Sequence, residues 1–146
     1  MKQNDYQILA NMKPEISMPV FNWKDKKILI VEDDYANYLF FHEMFTCAKA
    51  CLIHAVSLQE AFDLVSLRPE FDLLIINTGI PGNENCKAIH RIKLFWPVLP
   101  VVAVAGHECK ARNKKCFPPG CDTLISFNVD SHELMITVNE MFYPVN

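Results

Sequence analysis

The sequence predicts an α/β protein with a doubly wound, five-stranded parallel sheet of strand order 2-1-3-4-5. Five short apolar runs alternate with helical patterns along the chain, and short links join them. Two of the runs show no polar alternation, which is typical of strands that are covered on both faces by helices. For five such strands the common doubly wound order is 2-1-3-4-5.

The strands are predicted from apolar runs that end at turn residues. The predicted ranges are Lys27–Val31, Cys51–Val56, Leu73–Asn77, Val101–Ala105 and Thr123–Ser126. In the third run four aliphatic residues precede Asn77, and Gly79 with Pro81 stops the strand soon afterwards. A buried strand of this kind therefore ends in one uncharged polar side chain, that of Asn77.

A helical pattern follows each strand. The predicted ranges are Tyr35–Lys49, Leu58–Leu67, Asn85–Phe95, Glu108–Cys116 and Ser131–Phe142. Ser57 and Glu60 form a capping box for the second helix, and Asp130 or Ser131 is expected to cap the last helix. Residues 1–25 lie outside the alternation and are predicted to be an N-terminal arm or linker, with the domain at 26–146.

Length and composition indicate one soluble domain. The chain has 146 residues, of which 51% are hydrophobic and 21% are charged. Its net charge of -3 indicates neither a nucleic-acid nor a membrane surface as partner. The longest apolar stretch is interrupted by Pro100 and is too short to span a bilayer, and the first twenty residues are not a secretory signal. A cytoplasmic protein is expected.

Six cysteines occur without a CxxC pair. A zinc site could be drawn from four residues, but their spacing is irregular (His107, Cys109, Cys116 and Cys121). Free cysteines commonly behave as small buried apolar residues. We therefore predict reduced thiols.

Acidic residues follow the first strand at the predicted switch point of the sheet. There, Glu32, Asp33 and Asp34 are expected to lie near Asn77, because the carboxyl ends of strands one and three adjoin. Such carboxylates suit a hard cation such as Mg²⁺, although they could also simply face water. A flavin or dinucleotide is excluded, because carboxylates would repel its phosphates and no GxGxxG motif occurs.

Three segments resemble response regulator receiver domains, which have the CheY-like (flavodoxin-like) fold. They are KKILIVEDDYANYLFFHEMF, FDLLIINTGIPG and KKCFPPGCDTLISFNVD, and the resemblance extends over about residues 26 to 142. It implies a bacterial two-component (phosphorelay) protein that receives a phosphoryl group from a histidine kinase on an aspartate at the end of the third strand. It also implies an acidic pair that holds Mg²⁺, a hydroxyl after the fourth strand, and a lysine after the fifth.

The resemblance also implies that this site is degenerate. Glu32 and Asp33 match the acidic pair, but the acceptor, hydroxyl, lysine and aromatic positions are all changed (Asn77, Ala105, Phe127 and Leu124, respectively). An amide cannot form an acyl phosphate, and neither a methyl group nor a phenyl ring can stabilise phosphoryl charge. A weak Mg²⁺ site at Glu32, Asp33 and Asn77 is left open. Asn77 is expected to reach Asp33 directly or through water, with Phe127 turned toward the pocket.

The first helix is unusually aromatic. A helix that covers one core needs a single apolar stripe, and this one has more (Tyr35, Tyr38, Leu39, Phe40, Phe41, Met44 and Phe45). The surplus predicts a docking surface for a partner helix, unless Val20, Phe21 and Trp23 of the arm cover it. His42 and His54 are interpreted as surface or core residues.

Three functions follow from these observations. The first is a stand-alone, non-enzymatic receiver-like protein without an effector domain, since the sequence ends soon after the fifth helix. It would bind a histidine kinase, a phosphotransfer protein or another signalling protein independently of phosphorylation. The second is a receiver that uses Asp33 or Asp34 as a substitute acceptor. The third is a metal or small-ligand sensor at the acidic crevice.

Overall fold

Five parallel strands form one sheet in the order β2-β1-β3-β4-β5, as predicted. The computed structural model describes residues 21–68, 70–77, 84–105, 120–126 and 130–145. The strands are β1 (Lys27–Val31), β2 (Cys51–Ala55), β3 (Leu73–Asn77), β4 (Val101–Ala105) and β5 (Thr123–Ser126). Within the described ranges the helices are α1 (Tyr35–Cys47), α2 (Leu58–Leu67), α3 (Glu84–Phe95) and α4 (Ser131–Phe142). The helix predicted at 108–116 lies outside those ranges.

The central strands are buried on both faces because successive side chains point to opposite sides of the sheet. In β1, Ile28 and Ile30 join a core cluster under α1 and α4, whereas Leu29 and Val31 join a second cluster under α2 and α3. Strands β3 and β4 divide their side chains in the same way. The uninterrupted apolar runs in the sequence therefore supply two cores at once.

Side chains cap three of the helices. Asp34 accepts a hydrogen bond from the Ala36 amide at the start of α1, and Asp130 accepts one from the Glu133 amide at the start of α4. Ser57 accepts a hydrogen bond from the Glu60 amide, so the predicted cap of α2 is confirmed. Each cap satisfies an amide that has no partner within its helix.

Trp23 belongs to the core, although the sequence analysis assigns it to the end of an arm. Its side chain is fully buried, and its ring centroid lies 5.5 Å from that of Phe45 and 5.4 Å from that of Phe142. Its indole donates to Asn139 Oδ1 at 2.9 Å, and its amide donates to the Ala48 carbonyl at 2.7 Å. The segment before β1 thereby ties α1 to α4.

Among the cysteines with described side chains, Cys47 and Cys51 are exposed free thiols and Cys121 is buried. Three residues of the hypothetical zinc set lie outside the described ranges (His107, Cys109 and Cys116). Within the described part of the chain, no helix has the length and apolar character needed to cross a bilayer.

Candidate functional site

Strand register brings Glu32 and Asn77 together at the carboxyl edge of the sheet. Val31 of β1 pairs with Ile76 of β3, so the next residue of each strand emerges beside the other. Glu32 is fully buried, Asn77 is half-buried, and Asp33 is exposed. The predicted juxtaposition of an acidic residue with Asn77 is therefore present, and the acid that is enclosed is Glu32.

Asn77 donates a hydrogen bond from Nδ2 to Oε2 of Glu32 at 2.6 Å. An ionised carboxylate can only accept, so the amide must present its NH₂ group to Glu32. From the sequence, Asn77 was expected to reach Asp33, whereas this hydrogen bond joins it to Glu32, the preceding acid. Asn77 thus stabilises an acidic neighbour that an aspartate in its place would repel.

Burial raises the pKa of the Glu32 carboxyl above its ordinary value, because desolvation disfavours the charged form. The side chains of Asn77 and Asn37 act in the opposite direction, and the charges of Asp33 and Asp34 add to the rise. Oε1 of Glu32 is buried and has no hydrogen-bond partner among the described residues. One oxygen of the carboxyl therefore has a close donor, and the other has none at hydrogen-bonding distance among the described residues.

His54 holds the main chain at this point. Its Nε2 lies 2.6 Å from the carbonyl oxygen of Glu32, and since a carbonyl only accepts, the imidazole carries its proton on Nε2. The Tyr38 ring stacks on the imidazole with centroids 4.0 Å apart and an interplanar angle of 5°. The sequence analysis gave His54 no such role. The parallel pairing of β1 with β2, which sets His54 beside Ile30, was the signal that could have found it.

The remaining predicted positions lie along β4 and β5. Ala105 ends β4 and pairs with Ser126 at the end of β5. Leu124 is half-buried and packs against the α2–α3 cluster, so an aliphatic side chain occupies this position. Phe127 lies outside the described residues. Its predicted orientation toward the pocket therefore stays a prediction.

The donor set is only partly suited to Mg²⁺. Oε1 of Glu32 and the exposed carboxylate of Asp33 are hard oxygen ligands of the kind that this cation prefers. The other oxygen of Glu32 is already bonded to the Asn77 amide. In the described ranges, no three histidine, cysteine or acidic side chains group closely enough to hold a metal ion. These residues would fit a weakly held, largely hydrated cation, and the predicted weak site stays a prediction.

Comparison with solved structures defines the class of this fold, which is that of response regulator receiver (CheY-like) domains. A receiver domain protein from Clostridium thermocellum is 18% identical at a TM-score of 0.68, over 80% of this chain and 93% of that one. A CheY-like receiver domain protein from Methanospirillum hungatei is 21% identical at a TM-score of 0.67, over 79% and 91%. A two-component response regulator from Clostridium difficile is 16% identical at a TM-score of 0.70, over 83% and 98%.

At these identities the likeness establishes the receiver fold alone. Neither a protein-family model nor a curated protein sequence matches this chain.

Proposed function

We propose that this protein is a receiver-like module of two-component signalling that acts by binding another signalling protein and does not accept a phosphoryl group. The observation that carries the proposal is the 2.6 Å hydrogen bond from the Asn77 amide to the buried Glu32 carboxylate. In the receivers that the sequence resembles, the residue at the end of β3 is the phosphoacceptor aspartate. Here the same position has become an internal donor.

The exchange of aspartate for asparagine has two chemical consequences. An amide has no anionic oxygen with which to attack phosphorus, so Asn77 cannot form an acyl phosphate. The NH₂ group also offsets part of the Glu32 charge, which in a carboxylate cluster would require a cation or a proton. The site therefore offsets part of its own charge and lacks the carboxylate that phosphoryl transfer needs.

Two further positions support the loss of phosphoryl chemistry. Receivers place a hydroxyl after the fourth strand and a lysine after the fifth, whereas this chain has Ala105 and Phe127. Phosphoryl transfer depends on positioned donors and positive charge at the transferring oxygens. A methyl group and a phenyl ring supply neither.

The binding function is proposed for α1. Tyr38, Phe41 and Phe45 face the core, while Tyr35 remains 64% exposed and Leu39 remains 44% exposed. Apolar side chains beyond those that the core uses are typical of a surface that another protein covers. The partner class that we propose is a histidine kinase, a phosphotransfer protein or another signalling protein that presents a helix.

A substitute acceptor is the second candidate, and the exposed carboxylate of Asp33 favours it. Asp34 is less suited, because its carboxylate accepts the Ala36 amide at 2.9 Å and caps α1. Phosphorylation there would remove one acceptor from that cap.

Cation sensing is the third candidate, and the bare Oε1 of Glu32 favours it. A titration with Mg²⁺, followed by the fluorescence of Trp23 and Trp96, separates this candidate from the others. A saturable change that is lost in Glu32→Gln would support cation sensing, whereas a change that persists in Glu32→Gln would contradict a site at this carboxylate.

Restoring the missing groups tests the proposed loss of chemistry. With acetyl phosphate and Mg²⁺, Asn77→Asp alone is expected to gain phosphate slowly. Adding Ala105→Thr and Phe127→Lys should raise the rate by about a hundredfold, because such groups act on the transferring phosphoryl. The matched control combines the same two changes with Asn77→Gln, which supplies no carboxylate and should gain none. Equal phosphorylation of that control would place the acceptor elsewhere and favour Asp33.

A further inference from the structure

Helix α3 presents a surface that is basic at one end and apolar at the other. Lys87, Arg91 and Phe95 follow one another at four-residue spacing, and Leu94 lies beside them. Lys87 and Arg91 are exposed, and Leu94 and Phe95 are each 65% exposed. No acidic residue occurs from position 87 to position 98. We call these four residues the α3 surface.

The α3 surface is held in place by a neighbouring helix. The Arg91 guanidinium lies 4.2 Å from the ring centroid of Phe62 in α2, and the Phe95 ring meets the same ring edge-on at 6.0 Å. Lys93 does not contribute, because it pairs with Asp122 at 2.9 Å. The exposed cation and the exposed ring thus have fixed positions before any partner binds, which lowers the entropy that binding must overcome.

Helix α1 presents the complementary surface. Tyr35, Leu39 and Glu43 also follow one another at four-residue spacing, and all three are exposed. No lysine or arginine occurs from position 33 to position 47, a stretch that contains three acidic residues. Two of these acidic residues, Asp33 and Asp34, precede the helix. Among Tyr35, Leu39 and Glu43 the apolar residues come first and the acidic residue last, whereas in the α3 surface the basic residues come first and the apolar residues last. We call these three residues the α1 surface.

The two surfaces lie on opposite faces of the sheet. Tyr38 and Phe41 of α1 join one core cluster, and Ile89 and Ile92 of α3 join the other. A single chain therefore cannot bring its own two surfaces together. A twofold dimer through either surface alone would pair no acidic residue with a basic one, so it lacks charge complementarity.

We propose that the α3 surface of one copy binds the α1 surface of a second copy, so that the chains associate head to tail. Antiparallel packing of the two helices sets Glu43 against Lys87 and Arg91. The same packing sets Tyr35 and Leu39 against Leu94 and Phe95. One free surface of each kind remains at the ends, so that the contact does not close on itself in a pair.

This inference deepens the proposed function, on which it rests for the use of the α1 surface. A second copy on α1 covers the residues that a signalling partner would contact, so self-association would compete with partner binding. One helix face on each side is a small interface, and the association is therefore expected to be weak and sensitive to salt.

Sedimentation velocity of the full chain, over a range of concentrations and without a phosphodonor, tests the proposal. The average mass is expected to rise above the 16.8 kDa of one chain, and less so at high salt. Leu94→Ser/Phe95→Ser and Tyr35→Ser/Leu39→Ser should each weaken association by about tenfold or more. The matched control is Val145→Ser, which removes an exposed apolar side chain outside both surfaces and should have no effect.

Mixing the two double variants is the more specific experiment, because each variant retains the surface that the other lacks. The mixture should form a one-to-one complex that does not grow further. A charge test supports it: Arg91→Glu and Glu43→Arg should each weaken association, and the two changes in one chain should restore it.

A wild-type protein that stays monomeric at every concentration would overturn the proposal, as would a mixture that stays monomeric. Neither result would alter the phosphorylation behaviour, so the failure of this inference is distinguishable from the failure of the proposed function.

Discussion

At the scale of single residues, Glu32 is the one charged or polar residue that is buried among those the structure describes. It is enclosed at the edge of the sheet, and its Oε1 has no hydrogen-bond partner among the described residues, while Asn77 and His54 fix its other oxygen and its main chain. Burying a carboxylate is costly unless it is fully hydrogen-bonded. The ionised form of Glu32 is therefore expected to destabilise the fold.

Glu32→Gln is accordingly expected to stabilise the protein at neutral pH. The pKa of Glu32 is raised in the folded state, so the protonated form contributes stability that is complete below the ordinary value of 4.5 and is lost as pH rises through the folded-state pKa. Glutamine stays neutral and can still accept from Asn77. Urea unfolding from acid to neutral pH should show an advantage for the variant that grows with pH and disappears in acid.

The matched control for this series is Glu43→Gln, which removes an exposed carboxylate of α1. The free energy of unfolding of Glu43→Gln should show no comparable increase over the wild type as the pH rises. If Glu32→Gln instead lost stability at neutral pH, a bound cation or an unrecognised donor would have to stabilise the Glu32 charge.

The sequence predicts which residues lie near each other at the site only where the position of a residue depends on the end of its strand alone. Glu32 and Asn77 were placed together because parallel strands end at one edge of the sheet. The pairing of β1 with β2 could have indicated His54, whereas the role of Asn37 depends on where its side chain turns and could not be predicted from strand ends. Which of the two matching acids becomes buried is also set by packing, and no sequence pattern reveals it.

At the scale of elements, α1 ends in a turn that places Lys49 in a backbone conformation that is unfavourable for lysine. The Lys49 amide donates to the Thr46 carbonyl and the Ala50 amide donates to the Phe45 carbonyl, which together form a Schellman motif. Lys49 has φ of 71°, a left-handed conformation that favours glycine. The sequence predicted helix through Lys49 because lysine is a good helix former and no glycine marks the end.

Lys49→Gly is therefore expected to stabilise the fold by about 1 kcal/mol, because glycine adopts the left-handed conformation without strain. The free energy of unfolding from urea titration measures the effect. Lys49→Ala is the control, since alanine removes the same charge but keeps the strain, and it should give no gain. Equal gains in both variants would assign the effect to charge.

At the scale of the whole molecule, the sheet order could be predicted from the sequence. Five apolar runs alternate with helical patterns over many residues, and such an alternation has one common strand order. The sequence left open whether Trp23 packs on α1, because a single aromatic residue before β1 carries no period. Its burial depends on α1 and α4, which lie far apart in sequence and meet only in the folded chain. The domain thus includes an anchor that the alternation of elements does not reveal.

Trp23→Ala is expected to lower the free energy of unfolding by roughly 3–5 kcal/mol, as for other large aromatic side chains in cores. Trp23→Phe keeps most of the side-chain volume but removes the indole donor to Asn139. Its free energy of unfolding should fall by less than that of Trp23→Ala. Phe21→Ala, at a half-buried position, is the control and should lose least. Chemical denaturation orders the three variants, and a Trp23→Ala loss no larger than that of Phe21→Ala would contradict the anchoring role.

The central claim concerns phosphorylation, and the intact mass of the wild-type protein tests it most directly. After incubation with acetyl phosphate and Mg²⁺, we expect the mass to stay unchanged, because Asn77 offers no nucleophile and neither Ala105 nor Phe127 can stabilise phosphoryl charge. A hydroxylamine-labile phosphate on the wild-type chain would contradict the account and identify a carboxylate, with Asp33 the first to examine, as a working acceptor.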